Sequence, residues 1–529
     1  MKLRSVLWSV TLTASSVAFG AGGHSAHQQQ DAGAVAASVD ESALHSTATE
    51  GLPEVRPSQT VELKDGDSYT LVASPVKQRI AGKWLRRLAY NGSIPGPLIK
   101  ARQGATVRIT LKNATDAETT LHPHGLRIDD KNDGVVGIGQ AAIAPGQSHE
   151  YTLTFLDAGV FWYHPHVRDD YTQEMGLYGN FLVMPRSPDF YNPVHRELPL
   201  VLDDTGVQGA TPFYKHRVTH TLMGRFGDVM LVNGVEDFRL KGTSGEVLRL
   251  FVTNTANTRT FALAIPGVRL KLVGGDNGLY ERESWVEQVV IAPSERYIVE
   301  LKLPKPGLYD VVNAKPSGPT TLARLEVEAG TPPPLAGFDE LRAPAAAAAE
   351  LKVVKEKLGI PVQKALRLTL AMDHASLPMK HGAHGAKSGA EGAAAGRGIE
   401  WDDDMPEMNR ASHDRNVVWK MIDEATRQEN MGIDWSFKKG DFVKIRLVND
   451  ARSMHPMQHP IHFHGNRFVV AAVDGKPTGN LVWKDSVLIA SGETVDIVLE
   501  ATQPGRWMAH CHIAEHLGAG MMIGFQVKE

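Results

Sequence analysis

The sequence predicts an all-β protein of three Greek-key β-sandwich domains, and three observations predict it. Three short segments recur in the same order, three times over. Each copy alternates apolar and polar residues with the period of two that marks a half-buried strand. Each is bounded by Gly, Pro or Asn, the residues that turn the chain between the short strands of a sandwich.

The first segment reads "GATVRITLKN" (104–113), "GEVLRLFVTN" (245–254) and "GDFVKIRLVN" (440–449), with an opening Gly and a closing Asn. The second reads "IAPGQSHEYTL" (143–153), "IAPSERYIVEL" (291–301) and "IASGETVDIVLE" (489–500). The third reads "AGVFWYHPH" (158–166), "PGLYDVVNA" (306–314) and "PGRWMAHCH" (504–512). The sandwiches are therefore expected at about 59–190, 191–332 and 363–529. Residues 24–58 lack periodicity and read as a flexible tail. Residues 333–362 read as a linker, in which Pro344 opens an Ala, Glu and Lys run typical of a short helix.

Bulk properties narrow the function. At 529 residues the chain is too long for one ordinary core. It is 42% hydrophobic and 22% charged with net charge −4, and nothing in that balance fits a nucleic-acid binder. Residues 1–23 read as a Sec-type secretory signal: Lys2 and Arg4, then an apolar run from Val6 to Phe19, then small residues. That implies a periplasmic or secreted protein. No later segment is apolar and long enough to span a bilayer, so the mature chain is not expected to insert in a membrane. The single cysteine, Cys511, excludes an intramolecular disulfide, a zinc finger and an iron–sulfur cluster. A lone thiol in an oxidising compartment points to a metal ligand.

The histidines follow the repeat. Ten of 22 lie in four windows: "HPHG" (His122, His124), "WYHPH" (His164, His166), "HPIHFHG" (His459, His462, His464) and "HCHIAEH" (His510, His512, His516). In the third segment the first domain has His164-Pro165-His166 and the last has His510-Cys511-His512, where the middle domain has Val312-Asn313-Ala314. Likewise "FALAI" (261–265) stands where the outer domains carry His-x-His. One His-x-His pair is ordinarily an exposed polar face. Four pairs at equivalent positions indicate eight imidazoles converging from two facing domains, because alternate side chains share one face of a strand. By the same alternation Cys511 points away from His510 and His512. It can then join His459 and His516, with Met521 five residues on, in a trigonal site with a weak axial thioether typical of blue copper.

On these motifs the chain resembles the three-domain multicopper oxidases, the laccase and cuprous-oxidase family, over about 59–529. The resemblance implies cupredoxin-like domains and four copper ions. A type 1 copper would sit on His459, Cys511, His516 and Met521, and a type 2 copper on His122 and His462. A type 3 pair would take His124, His164 and His166 with His464, His510 and His512. It further implies that a small reducing substrate gives up electrons singly at type 1 and that O2 is reduced to two waters at the three-copper cluster. That reduction consumes four protons and calls for an acid near the cluster. Asp133, in "KNDG", matches the family's carboxylate at that place, with a plain Asp-Gly turn as the alternative. The pattern departs at Leu517, where many bacterial members carry an acid, while Glu515 is expected to face elsewhere. A methionine ligand implies a type 1 potential in the low to middle range.

The substrate turns on residues 372–413, a Gly- and Ala-rich insertion carrying Met372, Met379, Met405, Met408, His374, His381, His384 and His413. Thioethers and imidazoles take Cu(I), and cuprous oxidases of this family carry a Met-rich insertion at a similar point. The plain alternative is a surface loop. His455 and Met457, just before His459, stand where they can line its approach. The leading expectation is laccase-like oxidation of phenols and aromatic amines, the alternative is Cu(I) oxidation in copper tolerance, and a copper-binding scaffold without turnover is a minor third.

Overall fold

The structure is a computed structural model that describes residues 43–209, 211–373 and 398–529. Its strands form six sheets, two to each sandwich: four and five strands in the first, six and five in the middle and six and five in the last. The repeated segments become the same strands each time. Thr106–Asn113, Val247–Asn254 and Phe442–Asn449 pair antiparallel with Ser148–Thr154, Arg296–Lys302 and Thr494–Glu500. The strands of the third segment, Gly159–His164, Gly307–Asn313 and Gly505–Cys511, lie in the facing sheets. Between the paired faces are three apolar cores, centred on residues such as Ile109 and Phe181, Leu250 and Phe261, and Ile445 and Phe525.

The closing Asn of each first segment does the same work in all three sandwiches. Each is buried, and its amide donates to the next loop and to the start of the second segment: Asn113 to the carbonyls of Ala117 and Ile143, Asn254 to those of Arg259 and Ile291, Asn449 to those of Met457 and Ile489. Each loop is thereby held as it leads into the strand where the outer sandwiches carry histidine. That strand is His122–His124 in the first, Phe261–Ala264 in the middle and His459–Phe463 in the last.

The chain departs from the expected tail. Residues 43–58 are seated on the body: the Ala43 carbonyl accepts from Lys215, His45 donates its amide to Phe213, and Val55 and Arg56 bond to Lys77 and Gly92. The His45 ring stacks on Tyr171 at 3.7 Å. This order comes from backbone bonds to one strand and to neighbouring loops, which leave no hydrophobic period in the sequence. Residues 1–42, with the signal and the rest of the tail, lie outside the described residues. The linker helix runs Ala345–Lys357 from Pro344. Its buried Ala347, Leu351 and Val354 join an apolar cluster fed by all three sandwiches, including Val160, Ile298 and Trp483. No helix among the described residues is long and apolar enough to cross a membrane.

Candidate metal centres

In the first sandwich the strand His122–His124 pairs antiparallel with Gly159–His164, placing His122 opposite His164. In the last, His459–Phe463 pairs with Gly505–Cys511, placing His462 opposite His510. The two ribbons face each other, and their eight imidazoles, all buried, fall into groups whose nitrogens lie within 4.8 Å. These are His124, His164 and His512; His166, His464 and His510; and His122, His124 and His462. The Nε2 of His510 lies 2.9 Å from that of His464 and 3.4 Å from that of His166.

Each ring has an outer and an inner nitrogen. On the outer side, Nδ1 of His122, His164, His462 and His510 meets the carbonyls of Asp133, Pro165, Asp485 and Cys511 at 2.7–2.9 Å. On the inner side, Nε2 of His122, His164, His462 and His512 and Nδ1 of His124 have no hydrogen-bond partner. A buried polar atom left unpaired costs about 1–3 kcal/mol, so five of them in one cavity fit metal ions. Burial and the neighbouring imidazoles hold His124, His164, His166, His510 and His512 well below the usual histidine range. The neutral ring that results is the form that ligates metals.

Cys511 occupies the opposite face of its strand, inside the core of the last sandwich. Its Sγ is 3.6 Å from Nδ1 of His459 and 3.7 Å from Nδ1 of His516. Burial pushes the thiol up and lowers His459 to about 3, so the thiolate needs a cation to form. Met521 is buried beside them, its carbonyl accepting from the Cys511 amide at 3.1 Å and its amide donating to the His516 carbonyl at 3.0 Å. Trp419, which the sequence did not single out, packs its ring on His516 at 4.2 Å and on His459 at 4.8 Å.

Asp133 links the two outer sandwiches. Its carboxylate accepts from Nδ1 of His464 at 2.8 Å, while its carbonyl holds His122. Burial pushes the carboxyl up, but His464 and His122 outweigh that and keep it below the usual carboxylate range. A second carboxylate, Asp485, escaped the sequence reading. Its Oδ1 meets Nε2 of His124 at 3.0 Å. A Lys-Asp pair inside the apolar run "LVWKDSVLI" was the available signal, since buried charges need partners. Glu515 is buried and accepts from the Thr258 hydroxyl at 3.2 Å, with burial pushing its carboxyl up to about 8. Leu517 packs with Val135 and Met508.

Of the insertion 372–413, residues 374–397 with His374, Met379, His381 and His384 lie outside the described residues. Met372, Met405 and Met408 pack against the core that holds Cys511 and Met521. The short helix Pro406–Ala411 is fixed to the preceding sandwich, Asn409 bonding Met223 and Gly224 and Ser412 accepting from Leu222. Glu400 exchanges two hydrogen bonds with Gln458, next to His459. His413 lies apart, bridged to Thr219. His455 is buried with its Nε2 unpartnered, and Met457 is core.

Three family models described as multicopper oxidase match residues 76–188, 186–329 and 402–529. A multicopper oxidase of Staphylococcus aureus is 27% identical over 477 residues, covering 87% of this chain and 89% of its own length. A copper resistance protein A homolog of Pseudomonas syringae is 24% identical over 563 residues, covering 88% and 93%. The crystal structure of a multicopper oxidase from Pseudomonas thermotolerans aligns with a TM-score of 0.66 at 25% identity, over 89% of this chain and all of that one.

Proposed function

The chain belongs to the multicopper oxidases, copper-dependent oxidoreductases that reduce O2 with electrons from a reducing substrate, and on that premise we propose that its electron donor is Cu(I). On this reading the chain would hold four copper ions. His459, Cys511, His516 and Met521 would hold the type 1 ion, and His122 and His462 the type 2 ion. His124, His164 and His512, with His166, His464 and His510, would hold the type 3 pair. When bound, these ions supply one-electron acceptance from substrate at Cys511 and reduction of O2 to water among the histidines.

The protein's own part is to separate and connect the two. Cys511 is joined by peptide bonds to His510 and His512, whose rings lie on the other face, so electrons have a short covalent path between the centres. Outer hydrogen bonds hold most of the imidazoles in one tautomer with the ligating nitrogen inward. The carboxylates of Asp133 and Asp485 span the seam between first and last sandwiches.

One observation carries the choice of Cu(I). His459 and His516 are 1% and 0% exposed, which favours a small ion over a bulky aromatic donor as the group that reaches them, while Met405 and Met408 pack on the same core. His455 adds a buried ring nitrogen without a partner. Thioether and neutral imidazole are the soft and borderline donors that suit Cu(I), and a relative is named for copper resistance. The leader-like residues 1–23 fit an exported protein with this role.

Laccase-like oxidation of phenols uses the same centres, and oxygen uptake separates the readings. With Cu(I) as donor the copper-loaded chain should consume one O2 per four Cu(I). The double variant Met405→Leu, Met408→Leu should lower that rate about tenfold without lowering turnover of a dimethoxyphenol. Phenol turnover above the Cu(I) rate, with neither changed by the substitutions, makes the protein a laccase.

A further inference from the structure

We infer that the middle sandwich, which carries no candidate copper ligand, supplies a positioning residue to the histidine cluster, Arg296, acting through Asp485. The inference rests on the reading of that cluster as a copper site.

Arg296 opens the strand Arg296–Lys302 within the second segment of the middle sandwich and is fully buried. Its guanidinium meets Asp485 of the last sandwich as a two-pronged fork, Nη1 to Oδ1 at 2.7 Å and Nη2 to Oδ2 at 2.6 Å. The other donors go to the carbonyls of Ser294, Asp276 and Val160, so all five side-chain N–H groups are used. Asp485 is gripped through its backbone as well, since the middle sandwich's Asp276 accepts from the amides of Asp485 and Ser486.

Asp485 in turn holds a ring from each outer sandwich. Its carboxylate takes Nε2 of His124 and its carbonyl takes Nδ1 of His462. His124 differs from the other rings with an unpartnered inner nitrogen. That nitrogen is Nδ1 in His124 and Nε2 in His122, His164, His462 and His512. The carboxylate therefore decides which nitrogen of His124 faces the cavity. Gly125 makes room for this arrangement: a Cβ there would stand 2.4 Å from Nη2 of Arg296 and 2.6 Å from Oδ2 of Asp485, and its φ of +84° already favours glycine.

An interdomain ion pair kept only for stability would be replaceable, because apolar substitutes for buried pairs are often no less stable. Here the carboxylate is shared with a candidate ligand. Without its guanidinium it loses its fixed orientation, and His124 loses its tautomer lock. Removing such an outer partner typically weakens metal binding by about 10–100-fold.

The test uses the full, copper-loaded chain and the variants Arg296→Gln, Arg296→Lys and Asp485→Asn. Copper per chain is measured across a chelator titration, beside the electron paramagnetic resonance of the histidine-held copper and the blue absorbance of the thiolate-held copper. Arg296→Gln should release histidine-held copper at about 10–100-fold lower chelator and shift its resonance, with the blue absorbance kept. Asp485→Asn should do the same. Arg296→Lys, which keeps the charge but not the fork, should fall between. A parental copper titration and resonance in Arg296→Gln overturns the inference. If that variant also loses the blue absorbance, the other two decide: parental retention in both overturns the inference, and selective loss of histidine-held copper supports it. A parent chain that holds no copper on its histidines overturns the cluster reading instead.

Discussion

Cys511 and its two neighbours show how much one strand residue decides. Alternation sends the thiol into the core of the last sandwich and the flanking imidazoles into the cavity between sandwiches, so three consecutive residues serve two centres. That much was legible, because a period of two is a property of the sequence. His45 was not: it lies in a segment with no pattern, yet its ring stacks on Tyr171 and both its nitrogens are unpartnered. Burial, helped by Arg168, lowers the ring to about 4 from 6.5. Above pH 6.5 the docked and released forms are both neutral. As pH falls from 6.5 towards 4 the released segment takes up a proton that the docked one refuses. Docking should weaken by up to about tenfold per pH unit across that window. Amide hydrogen exchange over residues 43–48 at pH 7 and pH 5 measures it, corrected for the intrinsic rate. His45→Phe, which keeps the stacked ring, should remove the difference.

Among elements, the strands of the three repeated segments were readable in each sandwich, most of the other strands were not, and the closing Asn was readable as a letter but not as a function. Its amide reaches carbonyls up to 40 residues away, a contact no local pattern announces. Asn254→Ala would strand the carbonyls of Arg259 and Ile291 in a buried site, at a cost of roughly 1–3 kcal/mol or more. Its denaturant midpoint should fall with the copper spectra unchanged. Asn449→Ala should destabilise similarly and also alter the blue absorbance, because its partner Met457 stands two residues before His459. A midpoint unmoved in both would mean these amides are not the anchors described. Asp485 and Arg296 stayed hidden for the same reason as the Asn contacts. Each is one charged letter in a strand-like run, and its partner is 189 residues away. The fold is written in neighbours, and the site is completed by strangers.

For the whole molecule, the candidate copper ligands come from the first and last sandwiches and the apolar cluster beneath the linker helix from all three. Metal and interface should therefore stabilise one another. Stripping copper with a chelator should lower the thermal midpoint and split one calorimetric transition into at least two. Where free copper stands 100-fold above its dissociation constant, one site alone contributes about 2.7 kcal/mol. A single unshifted transition after copper removal would show that the sandwiches hold together without it. The order of the ligands along the chain has a consequence in time. His122, His124, His164 and His166 are all made before His459, and the roughly 290 residues between His166 and His459 take on the order of 15–60 s to synthesise at 5–20 residues per second. For that interval the nascent chain presents half a metal site, four imidazoles with no opposite bank. Metallation thus comes last, and a bound cluster certifies that the strand Gly505–Cys511 has been made, delivered and docked.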